Sequence, residues 1–231
     1  MSLSHDLFRN RLAEGIAHLR TTDPVLDALI EQIGDCRLMP SRGASPYEGL
    51  VRSVAYQQLQ GKAADAILAR FIALFAPASF PTPADVLAAD PAVLRATGFS
   101  TAKVTAIRAI ATEAQAGNIP DLAGAQAIED EVLIARLTAI RGVGVWTVEM
   151  MLIFTLGRLD VWPLNDFGVR NGVRAAFGLP EMPSRRQMAE LGEPWRPYLS
   201  IASWYFWRTA EQQPRTRRQP AGTTTTGNAE R

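Results

Sequence analysis

One cysteine, Cys36, and two histidines, His5 and His18, leave no ligand set for a Cys-based zinc or iron–sulfur site and no room for a serine–histidine–aspartate relay. Chemistry therefore falls to carboxylates. The segment DVWPLNDFGVRNGVRAAFGL carries two near its start, Asp160 and Asp166. Asp166 follows Trp162-Pro163 and stands at the first turn of a predicted helix, where its backbone and side-chain direction are fixed. By type and position alone it reads first as a helix N-cap and second as a catalytic carboxylate. The histidines read as surface or packing residues on an N-terminal helix, and Cys36 as a small apolar residue.

A second feature lies upstream, in LTAIRGVGVWTVEMMLIFTL from Leu137 to Leu156. Gly-Val-Gly separates two helical patterns with only a tight turn between them, which predicts a hairpin of helices. Gly142 and Gly144 permit positive φ and remove the Cβ, so an anion can approach the free N–H groups that begin the second helix. Those donors and the helix dipole bind phosphate without any net positive charge. An ordinary turn between helices is the competing reading of Gly-Val-Gly taken alone. The formal net charge of +1, from 24 basic and 23 acidic residues, means that any nucleic acid must be held by such a local site rather than by a basic face.

The elements that must position these residues are helical throughout. No period-two run of β-branched residues is long enough for a sheet, so an all-α fold is predicted. Asp23-Pro24, Ser45-Pro46, Thr82-Pro83 and Asp90-Pro91 each pair a capping residue with a first-turn proline, and Ser100 caps TAKVTAIRAIATEAQ up to Gly117. Glu129 to Ala139 leads into the hairpin, Asp166 to Phe177 forms the next helix before Gly178, and Pro194 to Gln212 is predicted as one last aromatic-rich helix. Residues 1–211 are expected to make a helical domain of two subdomains flanking a cleft. Residues 212–231, poor in apolar side chains, are expected to be a disordered tail in which Arg215, Arg217 and Arg218 are solvated. The N-terminus has no apolar core of a signal peptide and no stretch suits a bilayer, so a soluble, cytoplasmic, nucleoid-associated monomer is expected.

Four motifs in order, LVRSVAYQQLQGKAA at 50–64, GFSTAKVTAI at 98–107, the hairpin with its Asp166 loop, and WRPYLSIASWYFWR at 195–208, resemble the helix-hairpin-helix DNA glycosylase superfamily. Within it the chain is similar to the DNA-3-methyladenine glycosylase II, or alkylbase glycosylase, family in a compact form without the N-terminal sheet domain of longer members. The likeness runs from about Pro46 to Arg208.

The resemblance implies that Asp166 is the catalytic carboxylate and Asp160 a structural one. It also implies double-stranded DNA as partner, with an alkylated purine flipped into a pocket and its N-glycosidic bond hydrolysed. Trp146 stands 20 residues before Asp166, where members that also cut the backbone carry a Schiff-base lysine. A monofunctional enzyme that uses water and leaves an abasic site follows. The implied pocket is Trp146, Met150 and Trp204, the two indoles offering electron-rich faces to a cationic base, with Tyr205 and Trp207 nearby and Phe206 in the core. Gln57, Leu59, Gln60, Gly142, Gly144 and Thr147 are the implied DNA contacts, Gln60 being the wedge that fills the gap and Leu59 its alternative. Lys62 and Lys103 are candidate phosphate contacts that read by default as solvated lysines. No cofactor is required, but Na⁺ or K⁺ on the carbonyls of Thr138, Ile140 and Val143 is implied. A damage-binding protein without activity, or a glycosylase for hypoxanthine, uracil or ethenoadenine, are the competing functions.

Overall fold

The computed structural model describes residues 5–41, 43–59 and 61–213, without the side chain of His5. Among them are thirteen α-helices and no strand. They are α1 (His5–Thr22), α2 (Pro24–Ile33), α3 (Pro46–Tyr56), α4 (Gly61–Ala73), α5 (Pro83–Ala88), α6 (Pro91–Ala96), α7 (Thr101–Gln115), α8 (Leu122–Gln126), α9 (Asp130–Leu137), α10 (Val145–Met151), α11 (Phe167–Ala176), α12 (Arg185–Gly192) and α13 (Leu199–Gln212). The capping residues explain where most of them begin. The side chains of Asp23, Ser45, Thr82, Asp90 and Ser100 each accept a first-turn amide, and four of these helices carry proline in that turn.

Two helical groups share one hydrophobic core. In the first, α1 and α2 at the start of the chain join α11 and α13 near its end. Its centre is a ring cluster of Trp162, Phe177, Trp195 and Phe206, with Trp195 and Phe206 fully buried and the Trp195 indole donating to Asp23 at 3.0 Å. In the second, α3 packs against α7 and α10, and α5 against α7. Cations serve this group internally. Arg108 donates to the carbonyls of Val86, Leu87 and Ala89, Arg158 to those of Ala125, Gln126 and Ile128, and Lys103 to Ala55 at 2.8 Å. Each completes a helix C-terminus that lacks enough backbone donors. Lys103 is thus partly buried, with one of its three donors taken by the Ala55 carbonyl, and burial lowers its pKa.

Three local outcomes depart from expectation. The last helix begins at Leu199, not Pro194: a 3₁₀ turn Glu193–Trp195 comes first, and Arg196 is extended at ψ 146 because Pro197 disfavours the helical region for the residue before it. The second hairpin helix loosens to a π-helix over Leu152–Leu156, closed by Gly157 in the left-handed region. Finally, α12 was not anticipated, although Ser184 and Gln187 form a capping box readable as S-R-R-Q. Of the expected tail from 212, Gln212 is the last helical residue, and positions 214–231, including Arg215, Arg217 and Arg218, lie outside the described residues. His18 packs as expected, its ring 5.4 Å from that of Tyr198 and its Nε2 within 3.2 Å of the Pro194 carbonyl.

Candidate active site

Asp166 sits where the two helical groups meet. Its backbone is extended just before α11, and its Oδ1 accepts the Val169 amide at 2.7 Å, so it is indeed an N-cap. It is more than that. The same Oδ1 accepts the Trp207 indole N–H at 2.9 Å, and Oδ2 accepts that of Trp146 at 2.6 Å. The carboxylate is 8% exposed and held by donors from three elements: α11 itself, α13 and α10. A carboxylate offers about four acceptor positions. Three are taken here, two on Oδ1 and one on Oδ2, which leaves one position on Oδ2 for a reacting group.

A second carboxyl stands close by. Glu149 lies three residues after Trp146 on α10, one turn along nearly the same face. It is half-buried, and among the described residues it has no hydrogen-bond or ion-pair partner. Burial, with the Asp166 charge added and Arg185 acting against it, pushes its pKa up to about 7. Sequence reasoning missed Glu149, though the signal was present: it is the lone charge in the apolar run VWTVEMMLIFTL.

The other predicted residues separate into groups. Met150 is buried on α10 beside Trp146. Trp204 lies one turn before Trp207 on α13, where it packs edge-on against Tyr205 and beneath the Arg208 guanidinium. The indole that reaches Asp166 is that of Trp207, which also packs 5.7 Å from the ring of Phe154. Asp160 pairs with Arg196 at 2.6 Å. Phe206 is in the core. A cavity of about 390 Å³ lined by Arg11, Asp130, Arg158, Asp160 and Pro197 lies away from Asp166, contains no aromatic ring, and has its acids matched by Arg158 and Arg196.

At the hairpin, Gly142 has φ +86, and a Cβ there would come within 2.5 Å of that of Ala106 on α7. Only glycine permits both the turn and the close packing. Gly144 has an ordinary φ of −97 and nothing within 4 Å of the place a Cβ would occupy. It is the N-cap of α10 and provides no side-chain cap, in contrast to the capped helices above. The Thr147 amide bonds the Gly144 carbonyl at 2.9 Å, while among the described residues the Val145 and Trp146 amides have no acceptor and are open to an external one. Thr147 is buried and accepts a hydrogen bond from the Gln57 amide at 2.9 Å, while the same Gln57 nitrogen donates to the Gly142 carbonyl at 3.2 Å. Gln57 thus ties the end of α3 to the hairpin. Gln58 follows with φ +56, and Leu59 is 39% exposed at the tip of this turn. Gln60 lies outside the described residues.

A hairpin followed at this spacing by a buried, multiply held aspartate matches a known family model. Residues 51–197 match "HhH-GPD superfamily base excision DNA repair protein". The chain belongs to the HhH-GPD superfamily. Among the HhH-GPD relatives is DNA-3-methyladenine glycosylase 1 of Schizosaccharomyces pombe, 39% identical over 87% of this chain and 88% of the relative. The alkylbase DNA glycosidase-like protein mag2 of the same organism is 35% identical over 83% of this chain and 90% of its own length. Among solved structures, S. pombe 3-methyladenine DNA glycosylase (Mag1) in complex with abasic DNA superposes with a TM-score of 0.81, covering 86% of this chain and 97% of that one. The high coverage on both sides identifies the compact, all-α form of the superfamily.

Proposed function

We propose that the chain is a monofunctional DNA glycosylase that removes alkylated purines, 3-methyladenine above all and 7-methylguanine with it, from double-stranded DNA. The observation that carries this reading is the Asp166 carboxylate, fixed by three N–H donors with one acceptor position left open. Breaking a base–sugar bond places positive charge on the deoxyribose, and a pre-oriented carboxylate stabilises that charge and positions the attacking water without reorganising. With Trp146 where a lyase would need an amine, no Schiff base forms and an abasic site is the product. Two features support the DNA contacts: the uncapped start of α10 for a phosphate and the Gln57 brace between α3 and the hairpin; the exposed Leu59, or Gln60, is the proposed wedge. Stacking of the base falls to Trp146, with Met150 and Trp204 as further candidates. A single buried thiol suits a reducing compartment, the cytoplasm with its nucleoid.

A monovalent cation fits the hairpin. Among the described residues no hydrogen bond reaches the carbonyls of Thr138 and Val143, while that of Ile140 accepts the Val143 amide at 3.0 Å. Held by these three oxygens, Na⁺ or K⁺ would add positive charge beneath a bound phosphate.

The test uses duplexes carrying one 3-methyladenine, 7-methylguanine, hypoxanthine or ethenoadenine, with released bases separated by chromatography. Release of the methylated purines, no borohydride-trapped protein–DNA adduct, and several-fold weaker duplex binding when tetramethylammonium replaces Na⁺ and K⁺ are expected. Binding without release of any base would make the chain a damage sensor. Binding indifferent to the cation exchange would remove the ion from the hairpin.

Trp207→Phe keeps the ring and removes the N–H donor. A charge-assisted hydrogen bond of about 1.5 kcal/mol corresponds to about tenfold in rate. That loss is expected, because Val169 alone would then orient Oδ1. An unchanged single-turnover rate would show that Trp207 serves packing only.

A further inference from the structure

We propose that Glu149 is a second carboxyl of the active site, a positioning residue whose negative charge strengthens the field of Asp166, so that base excision depends on whether Glu149 carries its proton. The proposal rests on the hydrolytic reading of Asp166 given above. Two structural observations carry it. Glu149 follows Trp146 by three residues on α10, so it shares the helix face whose indole is bonded to Asp166. It is half-buried and, among the described residues, neither hydrogen-bonded nor ion-paired, whereas Asp27, Glu48, Glu190 and Glu211 each pair with a neighbouring arginine. The charged groups that face it are Asp166, from the loop before α11, and Arg185, at the start of α12.

Burial and the Asp166 charge together keep the proton on Glu149 up to about pH 7, against the weaker pull of Arg185. Below that pH the site holds one negative charge. Above it there are two, and the sugar cation that forms as the base departs is stabilised by both. Glu149 forms and breaks no bond. The proton it releases goes to solvent before the reaction, and the water that attacks the sugar is oriented by Asp166. Since one half-buried glutamate controls the second charge, a shift of a few tenths in pH near neutrality changes the fraction of enzyme with the stronger field.

The experiment measures single-turnover release of 3-methyladenine from a saturating duplex between pH 5.5 and 8.5, for the whole chain and for Glu149→Gln. Saturation separates the chemical step from DNA affinity, which a second anion would weaken. The wild-type rate is expected to rise about three- to tenfold with a midpoint near 7. Glu149→Gln, of the same shape and uncharged at every pH, is expected to stay flat at the low-pH rate of the wild type. Any limb that belongs to the substrate appears in both and cancels. A limb of equal size in Glu149→Gln, or flat and equal profiles in the two proteins, would overturn the proposal.

A second readout needs no activity. In protein with ¹³C-labelled glutamate carboxyls, the resonance lost in Glu149→Gln identifies Glu149, and its midpoint is expected to move down toward the ordinary carboxylate range in Asp166→Asn. An unmoved midpoint would show that the two groups are uncoupled. If the wild type released no base at all, the hydrolytic reading would fail while this titration still reported whether the pair exists.

Discussion

Asp166→Asn is expected to slow base release by about 10² to 10³, the scale seen when one pre-oriented electrostatic group is removed from an active site. Asparagine is as good an N-cap as aspartate, so its carbonyl can still accept the Val169 amide and α11 should keep its start. The other end of the side chain becomes an NH₂ group that meets an indole N–H, donor against donor. One of the two tryptophans then loses its partner in a partly buried place, which costs about 1 to 2 kcal/mol of stability. For a chain of this size that is a fall of a few degrees in Tm. The loss of rate should far exceed the loss of stability. Single-turnover kinetics, thermal melting and binding to an abasic duplex separate the two effects. A variant that releases 3-methyladenine within tenfold of wild type would take Asp166 out of the catalytic role and leave it a cap.

Much of this site was readable before any coordinates, because the readable parts are local. The Asp166 cap, the proline-opened helices and the Gly142 turn each depend on residues within one helical turn of one another. What could not be read depends on how α10, α11 and α13 are rotated about their axes. Four aromatic residues in SWYFW point in directions about 100° apart, and nothing in the run says which one faces Asp166. The resemblance assigns Trp204 to the base pocket. The hydrogen bond to Asp166 comes from Trp207, across 41 residues of sequence. The Gln57–Thr147 brace spans 90 residues and is equally invisible as a contact, although the resemblance implies that both residues touch DNA. The Lys103 contact is hidden for the same reason: its partner, the Ala55 carbonyl, belongs to a helix 48 residues away. Glu149 differs, since a lone acid in an apolar helix is visible in the sequence. Its neighbour Asp166 is what gives it meaning.

The rotation that matters most is set by Gly172, and Gly172→Ala is expected to damage stability and activity together. Gly172 is in the middle of α11 at the place where that helix lies against α13. A methyl group there would come within 2.0 Å of the Phe206 carbonyl oxygen, 2.5 Å of its carbon and 2.8 Å of its Cα. All three are backbone atoms, so no rotamer change relieves the clash and the helices must separate. Two effects oppose each other. Alanine is the better helix former by about 1 kcal/mol, which alone would stabilise the protein. Overpacking costs about 1 to 3 kcal/mol even where side chains can yield, and more where only backbone can move. The second wins, and a fall in Tm on the order of 10 °C is expected. Gly61→Ala, whose methyl meets nothing within 4 Å, should leave Tm almost unchanged. Because Phe206 precedes Trp207, any shift of α13 that accommodates the methyl also draws the indole from Asp166. The surviving folded fraction should therefore excise more slowly than wild type at 20 °C, by at least as much as Trp207→Phe. A Gly172→Ala protein that melts at or above the wild-type temperature, with full activity, would mean that the α11–α13 approach does not hold the carboxylate in place.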